Sequence, residues 1–204
     1  MLPVRTAMRV YPERFVLIYI HGFNSSSQSH KARLVRDRLA ALGRAGEYRC
    51  PDLPHRPAAA MARLEALLVA ADPAKTTLIG SSLGGYYATW LAERHGCRAV
   101  LINPAVQPYL GLRNYLGTQK NIYTGEPYEF TEAHLAELRA LEVDAVTPER
   151  YLLIVGTDDE VLDYRVALAR YSGCRQIVVE GGDHGLGDFG GYLDQVLAYA
   201  NLAG

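Results

Sequence analysis

Apolar residues along this chain come in short dense runs, separated by polar stretches rich in glycine, serine and proline. Phe15 to Ile20 reads FVLIYI, a continuous β-branched and aromatic run. With no polar alternation, it predicts a strand covered on both faces, as in a parallel sheet. The loop HGFNSSSQS follows, and then Ala32, Leu34, Val35, Leu39 and Leu42 fall at helical spacing. Ser29 is placed to cap that helix, and Gly43 and Gly46 to end it. Tyr48 to Cys50 predicts a short strand, and Pro51 and Pro54 punctuate the loop after it. Pro57 opens a helix running through MARLEALLVAA. Thr76 to Ile79 predicts a strand, Gly84 to His95 a helix stopped by Gly96, and Ala99 to Ile102 a strand stopped by Asn103-Pro104. Tyr151 to Val155, Tyr164 to Tyr171, Gln176 to Val179 and Tyr192 to Leu202 then read as strand, helix, strand and helix. Strands alternating with helices define an α/β architecture on a mostly parallel sheet of about six strands.

One stretch, Pro104 to Arg150, breaks the alternation. It contains no clear strand signal, and its one helical segment is Glu132 to Leu141. Tyr109, Tyr115, Tyr123 and Tyr128 lie there among glycine, proline and asparagine. The expectation is a lid over one end of the sheet, with Tyr123 and Tyr128 lining a substrate site; the plain alternative is a surface insertion. The chain is expected to form one domain over residues 1–204, with residues 1–13 as an N-terminal extension.

Charge and composition narrow the functional classes. Twenty-one basic and 22 acidic residues leave a net charge of −1, which argues against a broad electrostatic surface for nucleic acid. The longest purely apolar runs fall far short of the roughly 20 residues that span a bilayer. The N-terminus has no apolar core of a secretory signal. The three cysteines, Cys50, Cys97 and Cys174, form no CxxC pair, so neither a zinc site nor a disulfide framework is expected. A reducing, cytoplasmic setting fits them.

Gly80-Ser81-Ser82-Leu83-Gly84 matches G-x-S-x-G between a predicted strand and a predicted helix. The match matters because of that context. A tight strand-to-helix turn projects Ser82 above the sheet edge, and small flanking residues let the backbone close up around it. Leu83 opens the helix, so its N–H has no helical acceptor and can face a developing oxyanion. Ser81 is the competing nucleophile. A serine hydroxyl needs a base, and the base needs an orienting group. His184 follows the last predicted strand in GGDHG, and Asp159 follows the preceding strand in GTDDEV. Asp158 is the next candidate for the acid, with Glu160 and Asp163 nearby. His21-Gly22-Phe23 follows the first strand, where the Phe23 amide would complete an oxyanion hole. His30, His55, His95 and His134 read as surface or capping residues. No spacing supplies three metal ligands, so no metal is expected.

Beyond these patterns, the segments YIHGFNSS (from Tyr19), IGSSLGGYYATWLA (from Ile79), INPAV (from Ile102), NIYTGEPY (from Asn121), DEVLDYR (from Asp159) and EGGDHG (from Glu180) run nearly the whole chain. In them the chain resembles the small bacterial α/β-hydrolases of the YqiA/YcfP-like esterase group; residues 1–13 fall outside the resemblance. It implies a compact α/β-hydrolase fold with helices on both faces of the sheet and carboxylic-ester hydrolysis without a cofactor. It also implies a triad of Ser82, Asp159 and His184. The expected substrate is a small-molecule ester or thioester. A thioesterase, peptidase or acyltransferase on the same triad, or a non-catalytic binding module on the same fold, are the rival readings. Oligomeric state is not readable from the chain.

Overall fold

The computed structural model describes residues 15–69 and 71–203, so the 1–13 segment lies outside the described residues. In chain order the elements are β1 (Val16–Ile20), α1 (His30–Ala41), β2 (Tyr48–Arg49), α2 (Pro57–Val69), β3 (Thr76–Ser81), α3 (Leu83–His95), β4 (Arg98–Ile102) and α4 (Pro108–Gly111). They continue with β5 (Gly117–Lys120), β6 (Pro127–Phe130), α5 (Glu132–Arg139), β7 (Tyr151–Gly156), α6 (Tyr164–Arg170), β8 (Arg175–Val179) and α7 (Leu193–Tyr199). Six strands form one sheet in the order β2-β1-β3-β4-β7-β8, and every pair in it is parallel.

The apolar runs explain this sheet. All six residues of β3 and all six of β7 are buried, because alternate side chains feed two separate cores. Ile18, Leu78, Leu101 and Leu153 point into a core shared with α2, α3, α5 and α6. Leu17, Tyr19, Ile79, Val100 and Ile154 point the other way, against α1 and α7. Helices on both faces are what make a continuous apolar strand stable. The outer strands β2 and β8 are mostly half-buried or exposed, as edge strands. Among the described residues, no helix is long and apolar enough to cross a membrane.

Two local expectations change. Ser29 stands at the start of α1, but its side chain makes no capping hydrogen bond. The stretch 104–150 is not strandless: β5 and β6 pair antiparallel, Gly117 opposite Phe130 and Lys120 opposite Pro127, as a separate two-stranded sheet. GTQK and PYEF carry no apolar run, and β5 alternates between half-buried and exposed. The hairpin is fixed at its turn instead. Asn121 Oδ1 accepts from the Tyr123 and Thr124 amides at 2.9 Å each, and Gly125 adopts φ +75°.

Candidate active site

The sheet order dictates where a site can form. From β1 the chain moves outward to β2, then returns across β1 to β3. Open α/β sheets bind ligands at such a reversal, beyond the carboxyl ends of the strands. The loop after β1 and the turn after β3 therefore meet there. The turn is unusually tight. A Cβ on Gly80 would lie 2.3 Å from the Gly84 carbonyl oxygen, and a Cβ on Gly84 2.0 Å from that of Ile20. Only glycine at both positions lets α3 start directly off β3 and pack against the end of β1.

Ser82 pays for that turn in its backbone, at φ +54° and ψ −121°, a conformation that L side chains rarely adopt and that clusters at active sites. It is held from three sides. Its N–H donates to the Ile102 carbonyl at 3.0 Å, and its carbonyl accepts from Gly85 at 2.9 Å and Ala105 at 3.1 Å. Its Oγ lies 3.1 Å from His184 Nε2. His184 Nδ1 lies 2.9 and 3.0 Å from the two Asp159 oxygens. An ionised carboxylate can only accept, so Nδ1 carries the imidazole proton and Nε2 is left to accept from the serine hydroxyl.

Asp159 is poised as an anion. Its side chain is 1% exposed. Burial pushes its carboxyl up, but hydrogen bonds from His184 and from the Leu162 and Val161 amides outweigh this and hold it below the ordinary carboxylate range. Both amides bond Oδ1, at 2.8 and 2.9 Å. The rival acids are engaged elsewhere. Asp158 is exposed, and among the described residues its carboxylate accepts only from the Thr157 hydroxyl. Asp163 caps α6 and pairs with Arg165. Glu160 has a part the sequence did not assign: it accepts from the His184 backbone N–H at 3.0 Å. His184 bonds Ser82 and makes no bond to Ser81.

Asn103 was also passed over. It is 3% exposed and sits at φ +41° just past β4. Its amide donates to the Asp183 and His184 carbonyls at 3.0 and 3.1 Å, and its Oδ1 accepts from Gly156 at 2.9 Å. The ends of β4 and β7 are thereby tied to the histidine loop. The only sequence signal was an asparagine where a strand stops before proline.

The loop after β1 lies against Ser82, since a Cβ on Gly22 would come within 3.2 Å of Ser82 Cβ. Among the described residues, neither the Phe23 nor the Leu83 amide finds a protein acceptor. Buried His21 is pushed below its ordinary value by desolvation, and its Nε2 accepts from the Leu53 amide at 3.0 Å. A cavity of about 400 Å³ opens from Ser82 and His184 along Phe23, Ala105, Leu112, Tyr115 and Leu162. A second, of about 290 Å³, reaches Ser82 and His184 past Lys31, Ile122 and Tyr123. The insertion tyrosines do not form one wall. Tyr115 lines the first cavity and Tyr123 the second, while Tyr128 lines a third, of about 340 Å³, with His21, Phe23 and Leu83; its hydroxyl bonds Asn24 and its ring stacks on His55. Tyr109 bonds Glu142. His134 bonds Thr131 at the start of α5. Among the described residues no three His, Cys, Asp or Glu side chains converge to hold a metal, and all three cysteines are free.

Comparison with solved structures sets the fold class. A proposed hydrolase of Agrobacterium vitis S4 superposes with a TM-score of 0.73 at 22% identity, over 94% of this chain and 91% of that one. Mouse alpha/beta hydrolase domain-containing protein 10 gives 0.66 at 17% identity, over 89% of each chain. Est1E of Butyrivibrio proteoclasticus, solved with ferulic acid bound, gives 0.64 at 16% identity, over 93% and 91%. The chain has the α/β-hydrolase fold. A family model described as uncharacterised protein family UPF0227 matches residues 16–201, and the chain belongs to that family, as its resemblance to the YqiA/YcfP-like group implied. The biotin biosynthesis bifunctional protein BioHC of Teredinibacter turnerae is 33% identical over 97 residues, spanning 41% of this chain but only 16% of that protein.

Proposed function

We propose that this protein is a serine esterase that hydrolyses carboxylic esters through an acyl-enzyme. The observation that carries the reading is the unbroken line from Ser82 Oγ through His184 to buried, ionised Asp159, with Ser82 held at positive φ. Ser82 Oγ attacks the acyl carbonyl while His184 Nε2 takes its proton, and the carbonyl oxygen becomes an oxyanion held by the Phe23 and Leu83 amides. The intermediate collapses, the C–O bond to the alcohol breaks, and His184 returns the proton to the departing oxygen. Water, deprotonated by His184, attacks the acyl-serine and releases the acid. Asp159 fixes the imidazole tautomer and stabilises the imidazolium throughout. The two cavities meeting at Ser82 and His184 support separate seats for the two halves of the ester, with Tyr123 as a wall of the smaller.

The test is ester turnover and fluorophosphonate labelling of the wild type, Ser82→Ala and Ser81→Ala proteins. Ser82→Ala is expected to lose labelling and about 10⁴- to 10⁶-fold in kcat, while Ser81→Ala keeps most of both. A folded Ser82→Ala protein that retains a tenth of the activity would refute the assignment.

A further inference from the structure

The loop that carries the Phe23 amide has few ties of its own. Gly22 has no side chain to anchor, and Asn24 sits at φ +53°. Yet a hydrogen-bond donor in an oxyanion hole works only if held to within about 0.5 Å of its productive position. What holds this loop is the β5–β6 hairpin, from a part of the chain about a hundred residues away. The Tyr128 hydroxyl donates to Asn24 Oδ1 at 2.6 Å, and Asn24 Nδ2 donates to Gln119 Oε1 at 3.3 Å. The Ile122 amide donates to the Asn24 carbonyl at 3.1 Å, and Asn121 Nδ2 to the Ser25 carbonyl at 3.0 Å. The Phe23 ring is gripped edge-to-face by Tyr115 and Phe130, at centroid distances of 5.6 and 5.3 Å. Among the described residues, every hydrogen bond made by Asn24 and Ser25 goes to this hairpin.

We propose that the β5–β6 hairpin is the brace of the oxyanion hole, with Asn24 and Tyr128 as positioning residues that fix the Phe23 amide. This rests on the esterase reading above. It gives Tyr128 a task beside its place in a cavity wall: its hydroxyl is committed to Asn24. The insertion then acts on the transition state, where the oxyanion is fully developed, and equally on every substrate that passes through it.

Tyr128→Phe deletes one hydroxyl and keeps the ring stacked on His55; Asn24→Gly deletes the side chain and tolerates the positive φ. Each is expected to lower kcat about 10-fold, below the 10²- to 10³-fold that loss of an oxyanion donor itself costs. The loss should be the same for short and long acyl esters, with KM within about 2-fold, because neither side chain lines the two cavities that meet at Ser82 and His184. Inhibition by an alkyl boronic acid, whose serine adduct is a tetrahedral anion, should weaken by the same factor. The double variant should be no worse than the poorer single one, since both cut the same tie. Wild-type kcat in both variants, or a loss that grows with acyl chain length, would overturn the brace while leaving the esterase reading intact. A lowered melting temperature with unchanged boronic acid inhibition would also overturn it. A wild type that neither turns over esters nor labels with fluorophosphonate would overturn both readings.

Discussion

Asp158 and Asp159 are adjacent and chemically identical, and only the direction in which the turn after β7 aims them separates their roles. Asp159 turns inward onto His184 and two backbone amides; Asp158 faces solvent. Asp159→Asn should cost about 10⁴-fold in kcat, because the amide favours the wrong imidazole tautomer. Asp158→Asn should stay within about 2-fold, as a surface change does. The same contrast has a stability signature. A carboxyl held low in the folded state contributes stability that is present above its unfolded value, near 3.9, and is lost as pH falls through its folded value. The melting-temperature gap between wild type and Asp159→Asn should therefore be full at pH 7 and narrow below about pH 4. A gap constant from pH 7 to pH 2 would show that Asp159 is not held as an anion. At this scale the sequence was partly legible. Gly80 and Gly84 around Ser82 mark backbone with no room for side chains, which a motif records directly. The choice between neighbouring carboxylates, and the buried tie made by Asn103, depend on where backbone carbonyls point, and no residue pattern encodes that.

Among the elements, the buried strands were the most readable. FVLIYI and YLLIV became β1 and β7 with ends shifted by a residue, because burial on both faces leaves no polar positions to confuse the period. The β5–β6 hairpin was unreadable for the opposite reason: it is fixed by the Asn121 turn and by polar bonds from Gln119 and Tyr128 to the loop after β1, none of which an apolar period records. The junction of β3 with α3 is the element most exposed to a single methyl group. Gly84→Ala would drive a Cβ into the Ile20 carbonyl, so α3 must shift away from β1. We expect the melting temperature to fall by about 5–10 °C and fluorophosphonate labelling of Ser82 to be lost. Gly46→Ala, where a Cβ meets nothing within 4 Å, should change neither. Equal effects of the two substitutions would mean that close packing at the turn is not what sets Ser82.

Across the whole molecule, the groups of the proposed triad come from distant parts of the chain. Asp159 and His184 are 25 residues apart, but Ser82 and His184 are 102 apart. A chain ordered only through β4 would already own its nucleophile, strained turn and first oxyanion loop, yet have no base to activate the hydroxyl. On the esterase reading, chemical competence is expected late in folding, because the histidine loop after β8 must first close on the turn after β3. The single tryptophan, Trp90, lies on α3 about two helical turns beyond Ser82, partly buried against the core, and serves as a probe of the docking of that helix. In refolding from denaturant, Trp90 fluorescence should recover part of its amplitude before pulsed fluorophosphonate begins to label Ser82, and labelling should follow the slowest phase. Labelling that kept pace with the earliest fluorescence change would show that the nucleophile is reactive without its partners. On that reading a half-made chain is spared a loose acyl-transfer reagent, since the serine would become nucleophilic only once the loop after β8 has docked.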